Sequence, residues 1–121
     1  MTRIVLSSLP PTVNGMYVNA PGKGRVKSRE YAAWREAALW EIKAQKIKPI
    51  DGEVSIWVGL VAQNKRAQDC SNRLKSAEDL LVAAGIIPDD SNRYVRRVSA
   101  EWLSSGAPTT ILIQPYEGSA A

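Results

Sequence analysis

The segment Asp69-Cys70-Ser71-Asn72-Arg73-Leu74-Lys75 sets a carboxylate, a hydroxyl, an amide and an ammonium group close together along the chain, and the acidic pair Asp89-Asp90 follows downstream. The sequence has no histidine. That removes Ser-His-Asp and Cys-His nucleophilic catalysis, and with them histidine-based zinc sites. A hydrolase built from this chain must use carboxylates, lysines, hydroxyls or a metal held by oxygen ligands. Each residue also has a plain structural use. Asp69 or Ser71 can cap a helix, and Asp89-Asp90-Ser91-Asn92 is a good turn sequence. Lys75 can be a solvated charge, or pair with Asp79 at i+4 for about 0.2–0.5 kcal/mol. Cys70 reads as an inert small residue.

The elements around these residues must place them. Asp69 stands just before a helix expected to begin by about Ser71, and Asp90 stands in the turn after it. That helix would span about 14 residues, roughly 20 Å at 1.5 Å per residue. A straight reading therefore separates the two aspartates, and only a fold or a dimer contact that bends the segment back would bring them together. Leu74, Ala77, Leu81 and Ala84 give the helix its apolar face. Asn72, Lys75 and Asp79 share another face, and Gly85 suits the position just past the end.

Upstream, residues 2–9 open with a short apolar run that reads as a strand, ended by Pro10 and Pro11. Residues 10–27 form a loop, with a short hairpin around Met16–Val18 and Arg25–Lys27. Ser28 is the expected N-cap of a first helix, with Glu30 in its first turn. Tyr31, Trp34, Ala38 and Ile42 form its apolar stripe, Lys43, Lys46 and Lys48 crowd its far end, and Pro49 closes it. Residues 52–62 alternate as a strand, with Val54, Ile56, Val58 and Leu60 on one face. Residues 93–103 and 109–116 give the last two strands, and the tail 117–121 is expected to fray. The order β-α-β-α-β-β predicts an α/β or α+β domain, a mixed sheet with two main helices packed on it.

A length of 121 residues suits one domain spanning 1–121, and a hydrophobic fraction of 45% is enough to build a core. The apolar runs are too short to cross a bilayer, and the N-terminus lacks the pattern of a signal peptide. One cysteine allows no internal disulfide. The expectation is a soluble, cytoplasmic protein. Net charge is +4, from 16 basic and 12 acidic residues, and a basic balance favours anionic partners such as nucleic acid. Position matters more than the total. Lys23, Arg25, Lys27 and Arg29 alternate along one segment, Lys65 and Arg66 precede Asp69, and Arg93, Arg96 and Arg97 follow Asp90. The first group is either a solvated hairpin or a phosphate-binding loop whose glycines let a backbone approach closely, with Asn14 and Tyr17 beside it. There is no recognition helix or zinc-finger pattern for reading bases.

Taken together, these motifs resemble the RusA family of Holliday-junction resolvases. Residues 69–75 match the family's D-x-D-N-x-x-K except at one position. Asp79-Leu80-Leu81, Gly85 and Asp89-Asp90 match its D-x-L, G and D-D. Leu9-Pro10, Asn14, Tyr17, the basic loop, Ser28 and Tyr31 match in outline, so the likeness runs from about residue 6 to 103. It implies a homodimeric, Mg²⁺-dependent endonuclease, with Mn²⁺ as a substitute, that cuts four-way DNA junctions. Asp69 and Asp90 fall on catalytic, metal-binding aspartates and Lys75 on the catalytic lysine. Ser71 falls where the family usually has another metal-binding aspartate, and Asp89 is a candidate replacement ligand. Asn14, Tyr17, Lys23, Arg25, Lys27, Arg29, Lys65, Arg66 and Arg73 are the expected DNA contacts. One alternative is a branched-DNA binding protein whose nuclease activity is weak or lost through Ser71. Another is a metal-dependent phosphodiesterase acting on flaps or RNA.

Overall fold

In the computed structural model, residues 1–118 are described; the end of the expected frayed tail lies outside the described residues. The chain runs β1 (Thr2–Leu6), a 3₁₀ turn (Val13–Gly15), β2 (Tyr17–Ala20), β3 (Gly24–Lys27), α1 (Arg29–Ala44), β4 (Val54–Val61), a second 3₁₀ turn (Cys70–Arg73), α2 (Leu74–Ala83), β5 (Val95–Leu103) and β6 (Thr109–Pro115). β2 and β3 form the separate hairpin. The other four strands make one mixed sheet in the order β1-β6-β4-β5, so the expected α+β class holds. β4 and β5 are parallel. Parallel neighbours need a crossover rather than a tight turn, and the segment carrying the second 3₁₀ turn and α2 supplies it. β6 is antiparallel to both β4 and β1.

The core lies between this sheet and the two helices. Val54, Ile56, Val58 and Leu60 all point inward from β4, as the alternation predicts, and meet Ile4, Leu6, Ile111 and Ile113 from the flanking strands. Ala38 and Ile42 of α1 and Ala77, Leu80 and Leu81 of α2 close over them. Leu74 and Ala84, expected on the buried face of α2, are only partly buried, whereas Ser76 is fully buried. Its hydroxyl donates to the Pro11 carbonyl at 2.7 Å, which satisfies a polar group in an apolar setting.

Helix boundaries differ from expectation at two places. The second helix does not begin at Ser71. Cys70–Arg73 form a 3₁₀ turn first, and α2 proper starts at Leu74 with no side-chain cap at Asp69 or Arg73. The helix is therefore shorter than the roughly 14 residues the pattern predicts. The first helix ends at Ala44, well before Pro49, because Lys46 takes a left-handed conformation, φ 56°. At that point Gln45 turns its side-chain amide onto β1. Its Oε1 accepts from the Val5 N–H at 2.9 Å and its Nε2 donates to the Val5 carbonyl at 2.7 Å. Lys46 and Lys48 thus lie beyond the helix.

Two local devices aim the chain at the site. Ser28 caps α1 as predicted, accepting from the Tyr31 N–H at 3.1 Å, and its hydroxyl also donates to the Gly15 carbonyl at 2.6 Å. One side chain therefore joins the hairpin's entry to the helix. At the end of α2, Gly85 adopts φ 72°. The Gly85 N–H reaches the Val82 carbonyl and the Ile86 N–H reaches Leu81, a Schellman ending. Ile86 and Ile87 then bury in the core and turn the chain back along the helix.

Candidate active site

That return brings Asp90 to Lys75. The Lys75 Nζ lies 2.9 Å from Asp90 Oδ2 and 3.1 Å from Asp79 Oδ1. The ammonium is thus shared by two carboxylates, one from the next turn of its own helix and one from the turn that follows. The hydrogen bond to Asp90 holds the Lys75 pKa above its ordinary value, and burial opposes this. Burial pushes the half-buried Glu78 carboxyl up, and the Asp90 charge adds to it.

Lys75, Asp79 and Asp90 line an open concavity of about 350 Å³ together with Tyr17, Lys27, Tyr31, Arg35 and Asp89. Its walls come from the hairpin, α1, α2 and the 88–91 turn. Tyr17 meets Tyr31 edge-on at 5.9 Å, and the Arg25 guanidinium lies 4.8 Å above the Tyr17 ring. The hairpin is therefore seated on α1 by aromatic contact, which holds Lys27 over the cavity. Burial raises the Tyr31 pKa, and the Asp79 charge adds to it, so Tyr31 stays a neutral phenol at ordinary pH.

The two acidic neighbours divide their uses. Asp89 serves the turn: its Oδ1 accepts a hydrogen bond from the Ser91 N–H, which holds its carboxyl below the usual range. Asp90 is left to face Lys75.

Asp69 lies elsewhere. It is exposed, makes no capping bond, and borders a different concavity of about 530 Å³ with Thr12, Ala67, Gln68, Asn72 and Arg73. Ser71 is exposed in the 3₁₀ turn that leads from Asp69 to α2. Among the described residues, no three carboxylate, thiol or imidazole groups gather closely enough to hold a metal ion. The fold thus unites Lys75 with Asp90, and it leaves Asp69 facing another hollow.

Of the expected DNA contacts, Asn14, Lys23, Arg25, Lys27 and Arg29 are exposed on or beside the hairpin, and Lys65 and Arg66 are exposed in the loop before Asp69. Arg73 is engaged within the protein. Its Nη1 donates to the Pro10 carbonyl at 2.6 Å and its Nη2 to Gln68 Oε1 at 2.8 Å. Burial lowers its pKa. Tyr31 and Arg35 are cavity residues beyond those expected. Their i, i+4 spacing puts them on one face of α1, but membership of the apolar stripe already accounts for Tyr31 without any site.

A hollow of about 390 Å³ lies on the face of the sheet away from the helices, bounded by Trp57, Arg97 and Leu112 among others. No helix among the described residues is long and apolar enough to cross a membrane.

The structure is thus a small domain whose mixed sheet, backed by two helices, carries a lysine–aspartate pair beneath a basic hairpin. The chain belongs to the RusA endodeoxyribonuclease family, whose family model, endodeoxyribonuclease RusA, matches residues 8–114. It is an endonuclease of that class. A relative, the crossover junction endodeoxyribonuclease RusA of Aquifex aeolicus (strain VF5), is 34% identical over 89 residues, covering 73% of this chain and 71% of that protein.

Proposed function

We propose that this chain is a divalent-metal-dependent endonuclease that resolves four-way DNA junctions by paired, symmetric nicks, acting as a homodimer in recombination and repair. The observation that carries this reading is the meeting of Lys75 with Asp90 in an open cavity beneath the basic hairpin. The relative's activity on crossover junctions supports the substrate. A two-fold dimer would present two such sites symmetrically, which suits paired nicks.

The residues present fit a hydrated divalent ion such as Mg²⁺ in kind. Asp79 and Asp90 already direct hard carboxylate oxygens at one cation, the Lys75 ammonium. Mg²⁺ is commonly held by one or two carboxylates, with water and substrate phosphate completing its shell. Asp90 would be the principal ligand in this cavity, with Asp89 beside it, and Asp69 and the Ser71 hydroxyl would be oxygen donors from outside it, Asp69 from the hollow that it borders. A bound ion supplies an activated water and charge stabilisation at phosphorus. Lys75 binds the scissile phosphate or offsets the charge that develops on its oxygens. Lys23, Arg25, Lys27 and Arg29 hold flanking phosphates and orient the strand without reading sequence. Asn14 and Tyr17 support them, and Lys65 and Arg66 extend the basic surface.

The test pairs a synthetic four-way junction with a linear duplex, in Mg²⁺, Mn²⁺ or EDTA. Symmetric nicks should occur in the junction only, and EDTA, Asp69→Asn or Asp90→Asn should abolish them. Tight junction binding without cleavage in any metal would favour the binding-only reading that Ser71 motivates. Equal cutting of linear duplex would refute junction resolution.

A further inference from the structure

Lys75 has two carboxylate partners of different character. Asp79 lies one turn further along α2, so its distance to Lys75 is set by the helix itself. Asp90 belongs to the turn after the helix and reaches Lys75 only because Ile86 and Ile87 fold the chain back. The two contacts can therefore break separately. Half of the Lys75 side chain is exposed, 52%, against 25% for Asp79. The lysine is a flexible arm with room to move, whereas Asp79 is a fixed post beside it.

Asp90 is also the carboxylate best placed to hold a divalent ion. The ammonium contacts Asp90 Oδ2, and a divalent ion bound to the same carboxylate repels it and weakens its hold. Resting on the function proposed above, we propose that Lys75 is the counter-ion of Asp90 in the metal-free site, that it releases Asp90 when a divalent ion binds, and that Asp79 then retains its ammonium in the cavity. Asp79 is thus a positioning residue for the catalytic lysine. In this arrangement Lys75 competes with the metal, and Asp79 eases the exchange by giving the displaced ammonium a partner.

The test measures Mn²⁺ binding by electron paramagnetic resonance, without DNA, on the full chain and on Lys75→Met, Asp79→Asn and the double variant. Lys75→Met should bind Mn²⁺ about tenfold more tightly, the size of effect a contacting charge has on a partly exposed carboxylate. Asp79→Asn should weaken binding severalfold when Lys75 is present and much less when it is methionine. Equal or weaker binding by Lys75→Met overturns the proposal, as does an Asp79→Asn effect of the same size in both backgrounds. Absence of Mn²⁺ binding to all four proteins also overturns it. In the unsubstituted chain, the Lys75 ¹⁵Nζ resonance should move on addition of Mg²⁺, and a fixed resonance counts against release. For the positioning role, Asp79→Asn should lower kcat on a junction with KM little changed, and Asp79→Glu should restore part of it. Because the metal measurements need no substrate, failure to cleave junctions would refute the proposed function while leaving the exchange at Lys75 separately readable.

Discussion

Replacing Arg73 with methionine separates two roles that a basic residue can have in this chain. Methionine keeps an unbranched stem of similar reach and removes the guanidinium. Two hydrogen bonds disappear with it, the 2.6 Å bond to the Pro10 carbonyl and the 2.8 Å bond to Gln68. Both are partly buried, and the Pro10 carbonyl loses a charged donor. Hydrogen bonds of this kind contribute roughly 1 kcal/mol each after competition with water, so the expected loss is about 2 kcal/mol. For a chain of this size that corresponds to a fall in Tm of roughly 8 °C. The segment affected joins Pro10 to the start of α2, so it holds Asp69 and the 3₁₀ turn in place. Calorimetry should register the loss, and junction binding measured across a salt series should show no change in slope. Unchanged stability with a slope reduced by about 0.9 would refute the reasoning and make Arg73 a phosphate ligand.

Neutral replacements at Arg25 and Lys27 should do the reverse. Each should flatten the salt dependence of junction binding by about 0.9 for every phosphate it ceases to neutralise, with stability nearly unchanged, as a fluorescence anisotropy series would show. Ser71→Asp adds a carboxylate in the 3₁₀ turn and should lower the Mg²⁺ concentration for half-maximal cleavage; no shift, or a loss of rate, would count against a ligand role at that position. Glu78→Gln should stabilise the fold at neutral pH, because the folded-state pKa of Glu78 is raised by burial and by Asp90. A raised carboxyl lowers stability as pH rises from its unfolded value, 4.5, through its higher folded value. Urea titrations of the glutamine variant should therefore lose that decline.

Much of the fold is legible because local rules suffice for it. The alternation in β4, the Ser28 cap, the hairpin and the glycine ending of α2 each depend on a few neighbouring residues. Two boundaries are not legible. Ser71 looks like a helix start, but Arg73 is drawn to Pro10, and the first turn winds as 3₁₀ instead. Pro49 looks like a helix stop, but Gln45 is drawn to β1 before the helix reaches it. Both are decided by partners far away in sequence. The site divides in the same way. Lys75 and Asp79 are related by helical spacing and can be read directly. Lys75 and Asp90 meet only because two isoleucines anchor the return of the chain in the core, and no spacing rule gives that. The separation of Asp69 into a second hollow likewise follows from the 3₁₀ turn.

The amide of Gln45 has a consequence for how the sheet can grow. By meeting both the N–H and the carbonyl of Val5, it occupies the groups that a new strand beside β1 would need, while Glu41 takes the N–H of Ser7 close by. β5 stands at the opposite margin, with no strand beyond it among the described residues. A sheet that accepts a neighbour at one margin can pair once and then stops, whereas one open at both margins can add copies without end. A side chain just past the end of α1 thus blocks strand addition at this part of the β1 margin, and replacing Gln45 with alanine should open the Val5 groups to a neighbouring strand.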